Sequence, residues 1–496
     1  MVTRWPFVGL PNQTPERQGV LFFVCAWILL LWPLAVNHTP FYFGDSPSYL
    51  RGGAFGFDTG LAIFRQHWDA LVGAVPNAGA GGGNGDQREE VAGAIAASGG
   101  MRSVIYSLMT YLLRAPGQSL LNLAVAQAGA VALVMAMTRS VVAPSSRIGP
   151  SLGVAVAIAF FTSAAWYAAF IVPDIWAGIL IAAALALTLY LDRLNTPSRV
   201  LMILIIALGI TVHGSHLPVA LSVVGAGSVA HFWLNGYSRR AFARKIVWFA
   251  SPVLLAMAAL FATSYVAFGE TSLAPKRYPI LLARSVADGP GAWHLRDHCA
   301  IEHYAICEIF GPTPPRKVGQ FLWADSGVRH RASPDQMERI RAEESLIIGR
   351  AALEYPVEQA TASIGNALRQ LFTLGVKGLV FGEELSGDAR ANIIQVGPDR
   401  PTLRAIGDVS VYLSFGASLL VLLVLRRRLT STEVAALAVA TVGLLSNAAV
   451  CGILSGVTDR YQGRVAWVVP MLTGFILLRL WSERRDPPGQ QQPLHR

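Results

Sequence analysis

The feature that most constrains this chain is a series of apolar runs, each about 20 residues long, the length that a helix needs to cross a bilayer. Hydrophobic residues make up 53% of the 496 residues and charged residues only 14%, whereas soluble domains carry about a quarter charged residues. A soluble chain of this composition could not cover its own core. The sequence therefore predicts an all-α polytopic membrane protein and excludes a soluble enzyme, a disordered protein and a coiled coil.

The apolar runs predict about ten transmembrane helices. We place them at 19–36, 118–138, 150–171, 174–191, 200–213, 217–234, 247–268, 406–425, 432–453 and 464–481.

Basic residues indicate the orientation of these helices. With a cytoplasmic N-terminus, every short inward segment is rich in Arg or Lys, as cytoplasmic loops are. This bias, together with contact to anionic lipid headgroups, explains the net charge of +10, so no nucleic-acid partner is expected. The inward residues are Arg4, Arg17, Arg139, Arg147, Arg193, Arg199, Arg239, Arg240, Arg244, Lys245, Arg426, Arg427, Arg428, Arg484 and Arg485.

Two long segments face outward in this topology. The first, 37–117, contains the Gly-rich stretch NAGAGGGNGDQ, which is typical of a mobile loop or linker. It also contains the apolar segment 102–113, which we expect to lie on the membrane surface as an interfacial helix.

The second outward segment, 269–402, is long enough to form a mainly helical domain. Ser333, Pro334 and Gln336 have the spacing of a capping box at a helix start, and Pro356 begins a further helix over about 356–374. The domain separates an N-terminal transmembrane module of about seven spans, 1–268, from a C-terminal module of about three spans and a cytoplasmic tail, 403–496.

Cysteine usage agrees with an outward second segment. Cys25 and Cys451 lie in spans and are expected to pack as small apolar residues. Cys299 and Cys307, in DHCAIEHYAICE, lie where an oxidising compartment permits a disulfide. Free thiols remain an alternative, as does a zinc site with the neighbouring histidines, although the spacing matches no common zinc pattern.

Asp45 is the first candidate for chemistry, because it lies a few residues beyond the first span in FYFGDSPSYL. A charge beside a span is costly to desolvate and needs a reason. Gly-Asp-Ser-Pro is also typical of a turn, in which Asp45 or Ser46 would cap a helix that begins at Pro47. Asp45 is thus a functional carboxylate, a helix cap, or both.

Two further polar groups interrupt the apolar runs. Asp174 follows Pro173 in the outward turn before the fourth span, where the expected role is an N-cap. His213 and His216 mark a break between two short apolar runs, and unpaired backbone at that depth is tolerated only within protein or beside water. The histidines form a polar turn near the surface or bind a substrate phosphate or hydroxyl.

The last outward loop, SGVTDRYQGRVAW, carries Arg460, Tyr461 and Arg464. Its arginines oppose the charge bias, and a planar guanidinium is suited to binding phosphate oxygens. The alternatives are a local ion pair with Asp459 and contact with lipid headgroups. All the candidates fall at outward ends of spans, where a carboxylate base and cationic groups would suit a hydroxyl nucleophile and a lipid-linked phosphate leaving group.

The layout resembles the GT-C superfamily of integral-membrane glycosyltransferases, which includes the protein O-mannosyltransferases and the bacterial aminoarabinose transferases. The shared features are an Asp just after the first span, interfacial helices and a large late outward domain. The stretches GMRSVIYSLMTYLL (100–113), WYAAFIVPDIWAGIL (166–180) and DRYQGRVAWVVPML (459–472) are also similar to bacterial relatives.

The resemblance implies an inverting glycosyltransferase in the bacterial inner membrane, and ten spans with basic inward segments predict that both termini are cytoplasmic. Such enzymes take a sugar from a polyprenyl-phosphate donor, and here the acceptor would be a glycan, a lipid or a protein. The superfamily's first-loop acidic residue is its usual catalytic base, which implies Asp45 as base and Arg460 and Arg464 as donor-phosphate ligands. The further substrate-binding candidates are Tyr461, His213, His216, Asp174 and Arg102.

The chain departs from the superfamily at two motifs. GDSPSY offers one Asp where the O-mannosyltransferases have paired acidic residues, and MRSVIYS stands where the aminoarabinose transferases have Lys-Pro-Pro. Donor sugar and metal dependence therefore do not carry over: no metal ligand is assigned, no cofactor is certain, and a divalent metal stays open.

Three other functions share some of these features. An O-antigen ligase or polysaccharide polymerase would use the same lipid-phosphate chemistry, and a transporter of lipid-linked sugars would explain broken helices. A non-catalytic membrane component is the third. Transporters usually have short loops, whereas two long segments here face outward, and the sequence has no two-fold hydropathy repeat.

Overall fold

The computed structural model describes residues 14–72, 102–273, 277–384 and 394–485. About 80% of the described residues are helical, which agrees with the predicted helical membrane protein. Arg4 and the Gly-rich stretch 77–87 lie outside the described residues.

Within those ranges, seven helices are long and apolar enough to cross a membrane. They are Arg17–Asn37, Leu121–Val142, His216–Asn235, Arg239–Phe268, Pro401–Arg428, Ser431–Leu454 and Asp459–Arg485. The predicted spans 150–171, 174–191 and 200–213 contain shorter apolar helices, Ile148–Phe161, Ile175–Leu189 and Thr196–Thr211. Membrane character is thus confirmed, while the count of ten stays a prediction.

The helices of the N-terminal half pack around one shared apolar core. They are α1 (Thr14–Leu30), α2 (Trp32–Asn37), α3 (Ser46–Val72), α4 (Val104–Arg114), α5 (Leu121–Val142), α6 (Ile148–Phe161), α7 (Ala164–Ala168), α8 (Ile175–Leu189), α9 (Thr196–Thr211), α10 (His216–Asn235) and α11 (Arg239–Phe268).

The remaining helices form an intervening group and three long C-terminal segments. They are α12 (Ile280–Asp288), α13 (Pro290–Glu302), α14 (Ala305–Phe310), α15 (Val318–Leu322), α16 (Val328–Arg331), α17 (Pro334–Glu354), α18 (Pro356–Phe372), α19 (Pro401–Leu425), α20 (Ser431–Leu454), α21 (Asp459–Ala466) and α22 (Val468–Arg485).

Helix α8 is the centre of the main core. All its residues are buried, and it packs against α5, α9, α10 and α20. A helix that is apolar on every face is stable only when other elements surround it. Protein surrounds α8, so its short length is compatible with a position inside the bundle.

Helices α12–α17 enclose a second, separate apolar core, which includes Leu282, Val286, Phe321 and Ile340. The predicted capping box is present, with Ser333 and Gln336 each bonded to the other's backbone N–H. The further helix predicted from Pro356 is also present, as α18. Cys299 and Cys307 are joined by a disulfide, which selects that pairing over the free thiols and the zinc alternative for these cysteines.

A small sheet, which the sequence analysis did not predict, holds the chain just before Asp45. Strand β1 (Phe41–Tyr42) pairs antiparallel with β2 (Val380–Glu384), with Phe41 opposite Phe381, and β2 pairs with β3 (Ile394–Val396). On its other side Phe41 donates its N–H to the Ala169 carbonyl and accepts the Ile171 N–H, both at 2.9 Å. Two distant parts of the chain, β2 and residues 169–171, therefore fix the entry to α3.

Candidate functional site

Asp45 lies immediately before α3 and faces two arginines. Its backbone carbonyl accepts the N–H groups of Ser48 and Tyr49, so its main chain starts the helix. Its carboxylate pairs with the guanidinium groups of Arg102 and, at 3.4 Å, Arg460. About a fifth of the Asp45 side chain is exposed (20%), which makes it the most accessible acidic group of the cluster.

Arg102 is positioned by the start of α4. The next residue, Ser103, caps that helix by accepting the Tyr106 N–H at 3.1 Å, and its hydroxyl donates to the Thr211 carbonyl at 2.8 Å. The end of α9 therefore fixes the start of α4. The Arg102 guanidinium lies 5.5 Å from the centre of the Tyr49 ring, a cation–π distance.

Asp174 does not act as a side-chain cap, which corrects the prediction made for it. It occupies the N-cap position of α8, but its carboxylate makes no capping hydrogen bond. The carboxylate instead lies 3.2 Å from Arg464 and 3.7 Å from Arg460. Asp174 is almost completely buried, and a buried carboxylate needs such partners to offset the loss of water.

Arg464 is fully buried and its guanidinium is engaged on several sides. Besides Asp174, it donates to Asn447 Oδ1 at 2.8 Å, to Ser215 Oγ at 2.9 Å and to Cys451 Sγ at 3.2 Å. These partners come from three separate segments of the chain, since Asn447 and Cys451 both lie on α20. Their arrangement favours a positioning role for Arg464, rather than direct contact with a ligand.

Arg460 has a more open environment than Arg464. Its guanidinium lies 4.2 Å from the centre of the Phe43 ring and 5.2 Å from that of Tyr461. The Tyr461 hydroxyl is 3.0 Å from Ser455 Oγ. Arg460 and Arg464 pair with Asp45 and Asp174, which lie far upstream in the chain, rather than with the neighbouring Asp459.

His213 and His216 lie at the predicted break, between the end of α9 and the start of α10. His213 Nδ1 accepts the Ser215 N–H at 3.2 Å, which places the ring proton of the neutral imidazole on Nε2. His216 is buried, with Nδ1 2.7 Å from the Gly209 carbonyl, a contact that anchors the ring to α9.

Five contributors to the cluster were absent from the sequence-based site candidates: Tyr49, Phe43, Ser215, Asn447 and Cys451, of which Cys451 was expected only to pack as a small apolar residue. Tyr49 is buried, and its burial raises the pKa of the phenol above the ordinary value, so it is a neutral group near neutral pH. The signals for Tyr49 and Phe43 were their places in FYFGDSPSYL beside Asp45, and for Asn447 a lone amide within an apolar run.

The charges of the cluster do not cancel. Three arginines (102, 460 and 464) face two aspartates (45 and 174), so three positive charges minus two negative charges leave an excess of one. The more exposed members, Asp45 and Arg102, retain 20% and 19% of their side-chain surface. The cluster is therefore a buried ion-pair network with an accessible, net cationic edge.

A separate groove lies between α10 and α11. It has a volume of about 750 Å³ and an almost entirely apolar lining that includes Leu221, Phe232 and Phe249. None of the charged residues of the cluster lines this groove.

Comparison of the chain with protein-family models, with curated proteins and with solved structures finds no match in any of the three.

Proposed function

We propose that this protein is a GT-C-type inverting glycosyltransferase that acts at the extracytoplasmic face of the membrane. The observation that carries the proposal is the convergence of Asp45, Arg102 and Arg460 at the accessible edge of a net cationic cluster. A carboxylate beside arginines provides a base for an acceptor hydroxyl and a site for a lipid-linked phosphate.

In the proposed reaction the acceptor hydroxyl oxygen attacks the anomeric carbon of the donor sugar. The bond from that carbon to the phosphate oxygen breaks, the polyprenyl phosphate leaves with the electron pair, and the hydroxyl proton passes to Asp45. Arg460 and Arg102 stabilise the charge that develops on the phosphate, because they carry fixed positive charge in a site partly shielded from water. Both arginines touch Asp45 in the free protein, so donor phosphate would exchange for part of that contact.

Arg464 would act by positioning. It holds Asp174, and Asp174 lies 3.7 Å from Arg460, so Arg464 sets the place of the phosphate-binding guanidinium through one intervening carboxylate. The donor set does not fit a divalent cation, since both carboxylates of the cluster are engaged by guanidinium groups and arginines outnumber aspartates.

The membrane arrangement in this proposal has about ten spans. The three short helices α6, α8 and α9 complete the bundle, and α12–α18 lie outside the cell membrane next to the site. The polyprenyl tail would lie in the lipid, while acceptor approaches from the aqueous side.

Asp45→Asn tests the proposal, because this change removes the base but keeps the shape of the turn. A strain that lacks the protein is expected to accumulate a polyprenyl-phosphate-linked sugar and a truncated acceptor. The wild-type chain should restore both, whereas the Asp45→Asn chain should leave the accumulated sugar at the level of the deletion strain. The measurement is mass spectrometry of extracted lipids and glycans.

The matched control is Asp325→Asn, which neutralises an exposed carboxylate in the loop between α15 and α16. It should restore the wild-type profile, and immunoblots of membranes should give equal amounts of all three chains. Restoration by Asp45→Asn at equal protein level would overturn the role of Asp45. Accumulation of a diphosphate-linked oligosaccharide would instead indicate a ligase or polymerase.

A further inference from the structure

A second group of chemically active side chains lies among α12–α17, away from the cluster around Asp45. His294 and His298 are four residues apart on α13, and Glu354 is the last residue of α17. One ligand atom from each of the three lies within 4.8 Å of the other two. Residues four apart lie on the same face of a helix, so both imidazoles face the end of α17.

The distances between these atoms fit a common ion. His294 Nδ1 is 2.8 Å from Glu354 Oε2, and His298 Nε2 is 3.6 Å from Glu354 Oε1. A tetrahedral zinc ion with bonds of about 2.1 Å holds its ligand atoms about 3.4 Å apart. Small side-chain adjustments would therefore place all three atoms on one ion.

Hydrogen bonds to one nitrogen of each imidazole leave the other nitrogen, the one that faces Glu354, able to bind a metal. His298 Nδ1 is 3.0 Å from the backbone carbonyl of His294, so Nδ1 carries the proton and Nε2 holds a free lone pair. His294 Nε2 is 3.2 Å from the Tyr304 hydroxyl oxygen. That oxygen can accept a hydrogen bond from Nε2–H, which leaves the lone pair of Nδ1 for the metal. Metal-bound histidines are usually oriented through their second nitrogen in this way.

The site around His294, His298 and Glu354 is partly open to solvent, so that an ion can enter it. The His294 ring is fully buried, while His298 and Glu354 retain 32% and 35% of their side-chain surface. One carboxylate would offset part of the charge of a divalent ion. The disulfide between Cys299 and Cys307 starts at the residue after His298 and ties this end of α13 to α14.

We propose that His294, His298 and Glu354 form a binding site for a zinc-class divalent transition metal ion. Two imidazoles and a carboxylate are ligands that such ions prefer. Three protein ligands leave one coordination position for water or an external ligand, and the exposed side of the site faces solvent. The ion would fasten α13 to the end of α17, independently of the transferase chemistry proposed above.

The test uses the full chain, purified in detergent, stripped with a chelator and titrated with zinc chloride in a calorimeter. Thiol reductants are left out, so that Cys299 and Cys307 stay paired and cannot bind zinc. We expect one zinc ion per chain, and we expect His298→Gln and Glu354→Gln each to weaken zinc binding more than tenfold. These two residues are chosen because they are partly exposed, unlike His294.

His330→Gln is the matched control, because it removes an exposed histidine from the same group of helices. It should leave zinc binding unchanged. Zinc should also raise the thermal unfolding temperature of the wild-type chain, since an ion that binds only the folded state stabilises it, and that rise should disappear in His298→Gln. Absence of saturable binding, or equal binding by His298→Gln and the wild type, would overturn the proposal and leave a hydrogen-bonded His–Glu pair.

Discussion

Arg464 is the side chain on which the geometry of the charged cluster most depends. It contacts Asp174, Asn447 and Ser215, which belong to three different elements, and it is fully buried. Asp174 has guanidinium groups as its ion-pair partners at a site from which water is excluded. Loss of Arg464 would therefore leave the buried Asp174 carboxylate poorly compensated, which destabilises the folded chain.

We expect Arg464→Met to reduce the free energy of unfolding by about 3–5 kcal/mol, the usual cost of breaking a buried ion pair on one side. Thermal unfolding of the detergent-purified chain measures this change. Adding Asp174→Asn to Arg464→Met should recover part of the lost stability, because the poorly compensated buried charge is then gone. Purely additive effects of the two substitutions would contradict the pairing.

The sequence singled out the charged members of this cluster but not their polar partners. Asp45, Asp174, Arg460 and Arg464 were visible because a charge in or beside an apolar run has few reasons to be there. The capping role predicted for the Asp174 side chain was wrong. A capping pattern is local, whereas the actual partner, Arg464, lies 290 residues later in the chain. Asn447 belongs to no recognisable spacing pattern. Its hydrogen bond with Arg464 depends on the packing of α20 against α21, which the sequence alone does not reveal.

Helices α3 and α4 pack with almost no space between them, and Gly53 makes this possible. A Cβ atom at Gly53 would lie 2.0 Å from the Ser107 carbonyl oxygen and 2.7 Å from Tyr111 Cβ. Both helices carry residues of the charged cluster at or next to their N-terminal ends, Asp45 on one and Arg102 on the other. Their separation therefore controls the distance between these two side chains.

We expect Gly53→Ala to force α3 and α4 apart, lowering the thermal unfolding temperature and reducing activity in the complementation assay for Asp45. Gly60→Ala is the control on the same helix, because a Cβ there meets no atom within 4 Å. Gly60→Ala should be neutral or stabilise the helix by up to about 1 kcal/mol, the propensity gain of Ala over Gly. Equal behaviour of the two variants would contradict the close approach.

Elements with strong local signals were predictable, and those held by distant contacts were not. The α17 capping box follows from the identities of Ser333, Pro334 and Gln336 alone. The strand Phe41–Tyr42 has two residues, too few for an alternating pattern, and it exists because β2 and residues 169–171 flank it. The run 150–171 was predicted as one helix but breaks after Phe161, where Thr162 is extended and its hydroxyl accepts the Ala164 N–H at 3.2 Å.

The molecule has two chemically different ends. At one end, arginines hold neighbouring segments together: Arg193 donates to the carbonyl of Val141 in the last turn of α5 at 2.7 Å, and Arg479 of α22 donates to the Arg428 carbonyl at 3.2 Å. At the other end lie the charged cluster and α12–α18. Helix α8 begins beside Asp174 of the cluster and ends near Arg193, and α20 runs from near Arg428 to Asn447 of the cluster, so these two basic residues lie on the side opposite the cluster.

We expect a cysteine introduced at Asp325 to react with a membrane-impermeant maleimide in spheroplasts, and one at Arg427 to react only after the membrane is permeabilised. The reason is the charge bias, which predicts a cytoplasmic position for the loop at Arg427. The unmodified chain supplies the background from its own cysteines. Labelling at position 427 in sealed spheroplasts would reverse the orientation and move the charged cluster to the cytoplasmic side.

The charged cluster joins residues from both ends of the chain, and this has a consequence for biosynthesis. Asp45 and Asp174 leave the ribosome long before Arg460 and Arg464, which belong to the last hairpin. Until that hairpin inserts, the nascent protein carries two acidic groups that still await these cationic partners. The site therefore assembles only after the segment that carries Arg460 and Arg464 has inserted, and a chain terminated before residue 459 would leave the Asp174 carboxylate without either guanidinium partner.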